Sequence, residues 1–205
     1  MKTLIALVFS LVSLVAAAGE APDALVRNVT EEMLKTMRQD KDLQSGNVKK
    51  ATEMIEAKVL PHFNFKRMTA LAVGKDWRQA TPAQKDKLAS EFKTLLVRTY
   101  SNAIISYRNQ TIDYKPFRMQ AADSEAVVRT EVNQPGAKPI QLDYFLAKEG
   151  DAWKVYDVVV AGVSLVTNYR DAFGQEIRAN GIDGLINSLV AKNQGGETKP
   201  NGKKS

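Results

Sequence analysis

The chain has 205 residues, 44% of them hydrophobic and 25% charged, with a formal net charge of +6, which suits one globular domain with a core of its own. It contains no cysteine, so disulfides, thiolate nucleophiles and cysteine-held metals are excluded. The positive balance favours acidic partners such as lipid head groups, nucleic acid or an acidic protein face, although a solvated surface accounts for most such charge and Lys199, Lys203 and Lys204 fall in a polar tail.

Lys2, the apolar run from Leu4 to Val15 and Ala16-Ala17-Ala18 have the three-part layout of a secretory signal, residues 1–18, with cleavage expected before Gly19. The run is shorter than the about 20 residues that span a bilayer. Glycine at 19 and the absence of cysteine leave no acceptor for a lipoprotein anchor. The expected location is a bacterial periplasm. Residues 19–192 are expected to form a single domain, and residues 193–205, rich in Gly, Lys, Asn and Pro, a disordered polar tail.

Pro22 and Asp23 open a predicted helix striped by Leu25, Val29, Met33 and Met37. A second helix is predicted over 47–60, with Val48, Ala51, Ile55 and Val59 aligned and Pro61 stopping it. Phe63, Phe65, Met68, Leu71 and Ala72 predict a short third helix ending at Gly74. Thr81-Pro82-Ala83-Gln84 is a capping box with proline at the first helical position. The helix it starts is predicted to run to about 107, with Leu88, Phe92, Leu95, Leu96, Tyr100, Ile104 and Tyr107 as its apolar stripe.

Four strands follow. They are predicted over 111–117, limited by Pro116, over 126–133, over 140–148, and from Gly150-Asp151 onward. In the last, Trp153, Val155, Asp157 and Val159 are predicted to share one face, with Lys154, Tyr156, Val158 and Val160 on the other. After Gly162 the period changes: Leu165, Tyr169 and Phe173, with Val166 beside them, predict a helix capped by Ser164. Gly181 is expected to end it, and Asp183 to cap a final short helix carrying Leu185, Ile186, Leu189 and Val190.

Catalytic signatures are sparse. The one histidine, His62, stands beside Pro61 without a motif. Gly162-Val163-Ser164 lacks the second glycine of a nucleophile elbow, and the twelve glycines form no phosphate-cradling loop. No basic ribbon interleaved with aromatics supports nucleic-acid binding. Asp157 is the one candidate base, a carboxylate in a strand read as buried, and a structural partner for it is the favoured alternative.

Several motifs in order resemble the MlaC family, also called the toluene-tolerance Ttg2-type family. They are Leu60-Pro61-His62-Phe63, Ala72-Val73-Gly74, Ala80-Thr81-Pro82-Ala83-Gln84-Lys85, Trp153-Lys154-Val155-Tyr156-Asp157-Val158, Gly162-Val163-Ser164-Leu165 and Gly181-Ile182-Asp183-Gly184-Leu185. The likeness runs from about 21 to 192. It implies an α+β fold, a curved four-stranded antiparallel sheet packed with several helices around a deep hydrophobic pocket. It also implies a monomeric periplasmic carrier without enzymatic activity or cofactor, whose cargo is phospholipid. The implied partners are an outer-membrane lipoprotein–porin complex and an inner-membrane MCE-protein/ABC transporter complex, between which diacyl lipids are shuttled to keep the outer membrane asymmetric.

On that resemblance, one pocket wall is expected from Leu88, Phe92, Leu95, Tyr100 and Ile104. The sheet would add Leu142, Tyr144, Leu146, Val155 and Val159, and the far side would be Leu165, Val166, Tyr169 and Phe173. Arg78 and Arg170 are the candidate cations at its mouth. From the residues alone, a self-packed core is the favoured reading of these positions, and only the resemblance tips the balance towards a cavity. The main rival is a small-molecule enzyme of the conical α+β type using Asp157 as general base.

Overall fold

The computed structural model describes residues 19–105 and 110–195, and for residues 102–105 the backbone alone. The expected signal segment and most of the expected tail lie outside these described residues. Helix α1 (Pro22–Gln39) begins with proline and aspartate in its first turn, where a missing N–H costs nothing and a negative charge meets the helix dipole. A short α2 (Lys41–Gln44), not expected from periodicity, is nucleated by Asp40, whose side chain accepts from the Asp42 and Leu43 amides. Helix α3 (Val48–Lys58) is capped by Asn47. Met37, Leu43, Ala51, Met54 and Ile55 bury one another where α1–α3 meet.

A turn of 3-10 helix (Leu60–His62) leads to α4 (Phe65–Val73), which Gly74 ends at φ 70°. Helix α5 (Pro82–Ile105) starts as the sequence predicts. The Thr81 amide donates to Gln84 Oε1 (2.9 Å) and the Gln84 amide to Thr81 Oγ1 (3.2 Å), a closed capping box.

The strands β1 (Thr111–Tyr114), β2 (Glu125–Asn133), β3 (Ile140–Glu149), β4 (Ala152–Val160) and β5 (Val163–Ser164) form one antiparallel sheet in sequence order. The fifth strand, absent from the expected four, exists because Ala161 and Gly162 both take positive φ (49° and 83°) and fold the chain directly back on β4.

One expectation is corrected in β4. Phe145 pairs with Asp157 but Leu146 pairs with Val155, so Tyr156 is an extra residue in a β-bulge. A bulge shifts the alternation by one. Trp153 and Val155 therefore share the inner face with Val158 and Val160, while Asp157 and Val159 lie on the outer face opposite Phe145 and Asp143.

Beyond β5 a 3-10 turn (Thr167–Tyr169) precedes α6 (Arg170–Gln194). The helix thus starts later than predicted, and Leu165 stands before it rather than on its face. Gly181, at φ 70° and ψ −177°, breaks α6 in two where the sequence places a helix end. The second half runs past the expected domain boundary, and Asn193 is buried rather than part of a tail. Its Nδ2 donates to the Glu91 carbonyl (2.9 Å) and carboxylate (2.8 Å), and Arg98 donates to the Asn193 carbonyl.

Candidate functional site

The predicted lining residues divide between two apolar clusters. Leu88, Phe92 and Leu95 of α5 meet Val166 and Phe173 in a helical cluster with Met68, Ala72 and Val73 of α4 and Leu185 and Leu189 of α6. Tyr100 and Tyr169 pack at its margin. The spacing that predicted the α5 stripe does its work here: positions 88, 92, 95 and 96 recur on one face and all are buried. Phe92 stands edge-on to both Tyr169 and Phe173, with ring centroids 5.2 and 5.3 Å away, which is the geometry favoured by aromatic quadrupoles.

Leu146 and Val155 belong instead to a sheet cluster with Leu25 and Val26 of α1 and Ala126, Val128, Trp153 and Val158. Leu142, Tyr144 and Leu165 pack against it. Val159 is in neither group, because the bulge at Tyr156 turns it to the outer face. Ile104 lies on α5, outside the described side chains. Phe63 packs against both clusters. Sequence reasoning placed it only at a helix start, with no signal for this shared position.

Phe63 is fixed by the free edge of β4. It bridges to Val155, the Asn64 amide donates to the Val155 carbonyl (2.9 Å), and Lys154 Nζ donates to the Pro61 carbonyl (2.6 Å). The segment 61–64 thereby seals the first half of β4, as β5 seals its second half.

Polar groups near the apolar walls are few. Burial and the facing Tyr169 push the half-buried Tyr100 hydroxyl far above its ordinary range. Burial likewise raises Tyr156, which lies under the Arg67 guanidinium (3.8 Å) and reaches Glu125 (3.4 Å), while Arg67 also pairs with Glu125. Arg170 is not a free mouth cation: its Nε and NH2 donate to the Leu71 carbonyl (3.0 and 2.8 Å), capping the C-terminus of α4. Arg78 is exposed at the end of the 3-10 turn Gly74–Arg78. Apart from these clusters, a cleft of about 260 Å³ runs along α1, lined by Glu31, Leu34, Lys35, Arg38 and Gln39. None of the predicted lining residues borders it.

Asp157 is buried with both carboxylate oxygens engaged, Oδ2 by the Ser164 hydroxyl (2.6 Å) and Oδ1 by the Val158 amide (2.8 Å). Burial raises its pKa above the ordinary 3.8, against the pull of these donors. Ser164, expected to cap a helix, accepts from the Val166 and Thr167 amides (3.2 and 2.9 Å) and so caps the turn that precedes α6. His62 is half-buried at the end of its 3-10 turn. Among the described residues no group of three or more histidine, aspartate or glutamate side chains is placed to hold a metal ion. No helix of the described residues is long and apolar enough to cross a membrane.

Comparison with known proteins covers nearly the whole chain. The profile of the family described as MlaC protein matches residues 27–191. The chain belongs to the MlaC family. The toluene tolerance protein ttg2D of Pseudomonas putida is 26% identical over 195 residues, covering 91% of this chain and 90% of that protein. The intermembrane phospholipid transport system binding protein MlaC of Haemophilus influenzae is 24% identical over 183 residues, covering 87% and 85%. The phospholipid-binding protein from Ralstonia solanacearum, solved in complex with a phospholipid, superposes with a TM-score of 0.78 at 39% identity, covering 85% of this chain and 97% of that one.

Proposed function

We propose that this member of the MlaC family is a non-enzymatic phospholipid carrier. The reading rests chiefly on one observation: the family likeness extends over almost the full length of a protein that holds a phospholipid, at 39% identity. The physical requirement agrees with it. A buried methylene contributes about 0.8 kcal/mol, so two acyl chains resist leaving a bilayer by roughly 20 kcal/mol or more. A protein can carry such a molecule through water only by enclosing most of both tails.

The tails are proposed to lie between the two apolar clusters. Leu88, Phe92, Leu95 and Tyr100 are proposed to form one side, and Leu142, Tyr144, Leu146 and Val155 the other. Leu165, Val166, Tyr169 and Phe173 close the end. Val159 is retained only as an outer-face neighbour of this wall. The head group stays in water at the mouth, which predicts weak head-group selectivity. A secretory signal at residues 1–18 would place the domain in the periplasm, where it exchanges lipid with an outer-membrane lipoprotein–porin complex and an inner-membrane MCE-protein/ABC transporter complex.

Native mass spectrometry of the protein purified from its host tests the reading. An added mass equal to a diacyl phospholipid is the expected result, and a bare polypeptide mass counts against it. Catalysis by Asp157 draws no support from its surroundings, since its oxygens are turned to Ser164 and the Val158 amide rather than to an apolar wall.

A further inference from the structure

The joint between β4 and α6 contains a hydrogen-bond arrangement that lipid enclosure alone does not require. A serine hydroxyl has one proton and two lone pairs. In Ser164 all three are used: the proton goes to Asp157 Oδ2 (2.6 Å), and the lone pairs take the Val166 and Thr167 amides (3.2 and 2.9 Å). Asp157 Oδ1 is already committed to the Val158 amide (2.8 Å). The chain reaches this point through the left-handed Ala161–Gly162 turn, a conformation alanine adopts only under constraint. Just beyond, adjacent residues part company: Leu165 packs with the sheet cluster and the fully buried Val166 with the helical one. The place where Ser164 holds the two amides therefore sets how the Val166–Phe173 wall stands relative to the sheet.

We propose that Asp157, acting through Ser164, is a positioning residue for lipid release: its carboxylate form orders this joint and its neutral acid form disorders it. The inference rests on the carrier reading above. A neutral acid carries one proton too many for the arrangement. On Oδ2 that proton meets a serine oxygen whose lone pairs are both taken; on Oδ1 it meets the Val158 N–H. Either way a hydrogen bond is lost, and the wall loses its fixed direction. Because burial raises the Asp157 pKa, the change falls nearer neutrality than for a free carboxylate.

Other charged or titratable groups around the site are committed elsewhere. Tyr156 is adjacent on β4, where the Asp157 charge helps to raise it. Asp143 of β3 faces Arg129 (3.9 Å). Arg67 of α4 pairs with Glu125 over the Tyr156 ring, and Arg170 of α6 is held by the Leu71 carbonyl. Among the described residues no salt bridge to Asp157 competes with the serine.

The test loads the full protein with pyrene-labelled phosphatidylcholine and follows its release into phosphatidylcholine vesicles, a probe without a titrating charge, from neutral pH down to about pH 4. Wild-type release is expected to accelerate about fivefold on acidification, the equivalent of one ordinary hydrogen bond. Asp157→Asn should release at the fast rate at every pH, because an amide puts an N–H donor where one of the two carboxylate oxygens accepts. Ser164→Ala should behave alike, and Ser164→Thr should restore slow, pH-dependent release. Melting curves serve as the folding control, with Asp157→Asn expected to melt no lower than wild type at neutral pH. A wild-type rate independent of pH, or Asp157→Asn indistinguishable from wild type, overturns the proposal while leaving the carrier reading intact. A wild-type protein that takes up no lipid overturns both.

Discussion

The helical cluster and the sheet cluster bury similar residue types by different means. In the helical cluster, side chains from α4, α5 and α6 interlock from three directions, with Phe92 edge-on to Tyr169 and Phe173, which are tilted against each other at 5.5 Å. In the sheet cluster a single pleated face is plated against one helix, α1, through Leu25 and Val26. The outer face of that sheet carries Arg129, Asp143 and other polar or half-buried groups. Phe63 packs against both sides, and Leu165 and Val166 divide between them. These two cores thus meet at a thin seam, and a lesion in one should register weakly in the other.

The largest effects should come from the interlocked side. Phe92→Ala removes a fully buried ring that two other rings depend on, with an expected loss of about 3–5 kcal/mol in urea denaturation. Leu146→Ala, equally buried in the sheet, should cost about 2–5 kcal/mol. The double variant should be additive within about 0.5 kcal/mol if the cores are separate. A larger coupling would break the comparison. Phe63→Ala should cost less, since the ring is half-buried, yet show a coupling of about 1 kcal/mol with each of the other two in double-mutant cycles.

Thr81→Ala opens the capping box of α5 and should lower stability by about 1 kcal/mol, read as a shift in the urea midpoint without a change in slope.

The smallest effects are electrostatic, and the two regions should differ in sign. The Lys87 ammonium and the Asn193 amide hold Glu91 below its ordinary 4.5, so its stabilisation is present above that value and fades as pH falls through the folded pKa. Asp157 is raised by burial, so its ionised form costs stability above its folded pKa, and that cost is relieved on acidification. Melting temperatures against pH should therefore place Glu91→Gln below wild type and Asp157→Asn at or above it near neutrality. Both differences should shrink in acid. Parallel curves would refute the assignment.

Much of the fold could be read from the residues because its signals are local. The capping box at Thr81, the stop at Gly74, the break at Gly181 and the turn at Gly150-Asp151 each depend on neighbours within a few positions, and each stands where it was expected. The MlaC family and the α+β class were legible in the order of these motifs. What escaped was set by partners far along the chain. The bulge at Tyr156 has no residue-type signature, because β-branched neighbours suit either face of a strand, yet it moved Asp157 and Val159 to the other side. Asn193 reads as tail by composition and is buried only because Glu91 and Arg98 of α5 await it. The shared role of Phe63 depends on its bridge to Val155, many residues distant. For the site, the α5 stripe and the rings of 169 and 173 were legible as one apolar face, whereas their separation from the sheet residues was not.

One margin of β4 pairs with β3 and the other is shared by the 61–64 segment and β5, so β4 offers no long row of unpaired amides to a stranger. At the opposite end the outermost strand is only Thr111–Tyr114, and Pro116 follows two residues later. Short, proline-limited borders resist edge-to-edge growth into fibrils. These strand borders thus offer a second copy little to pair with.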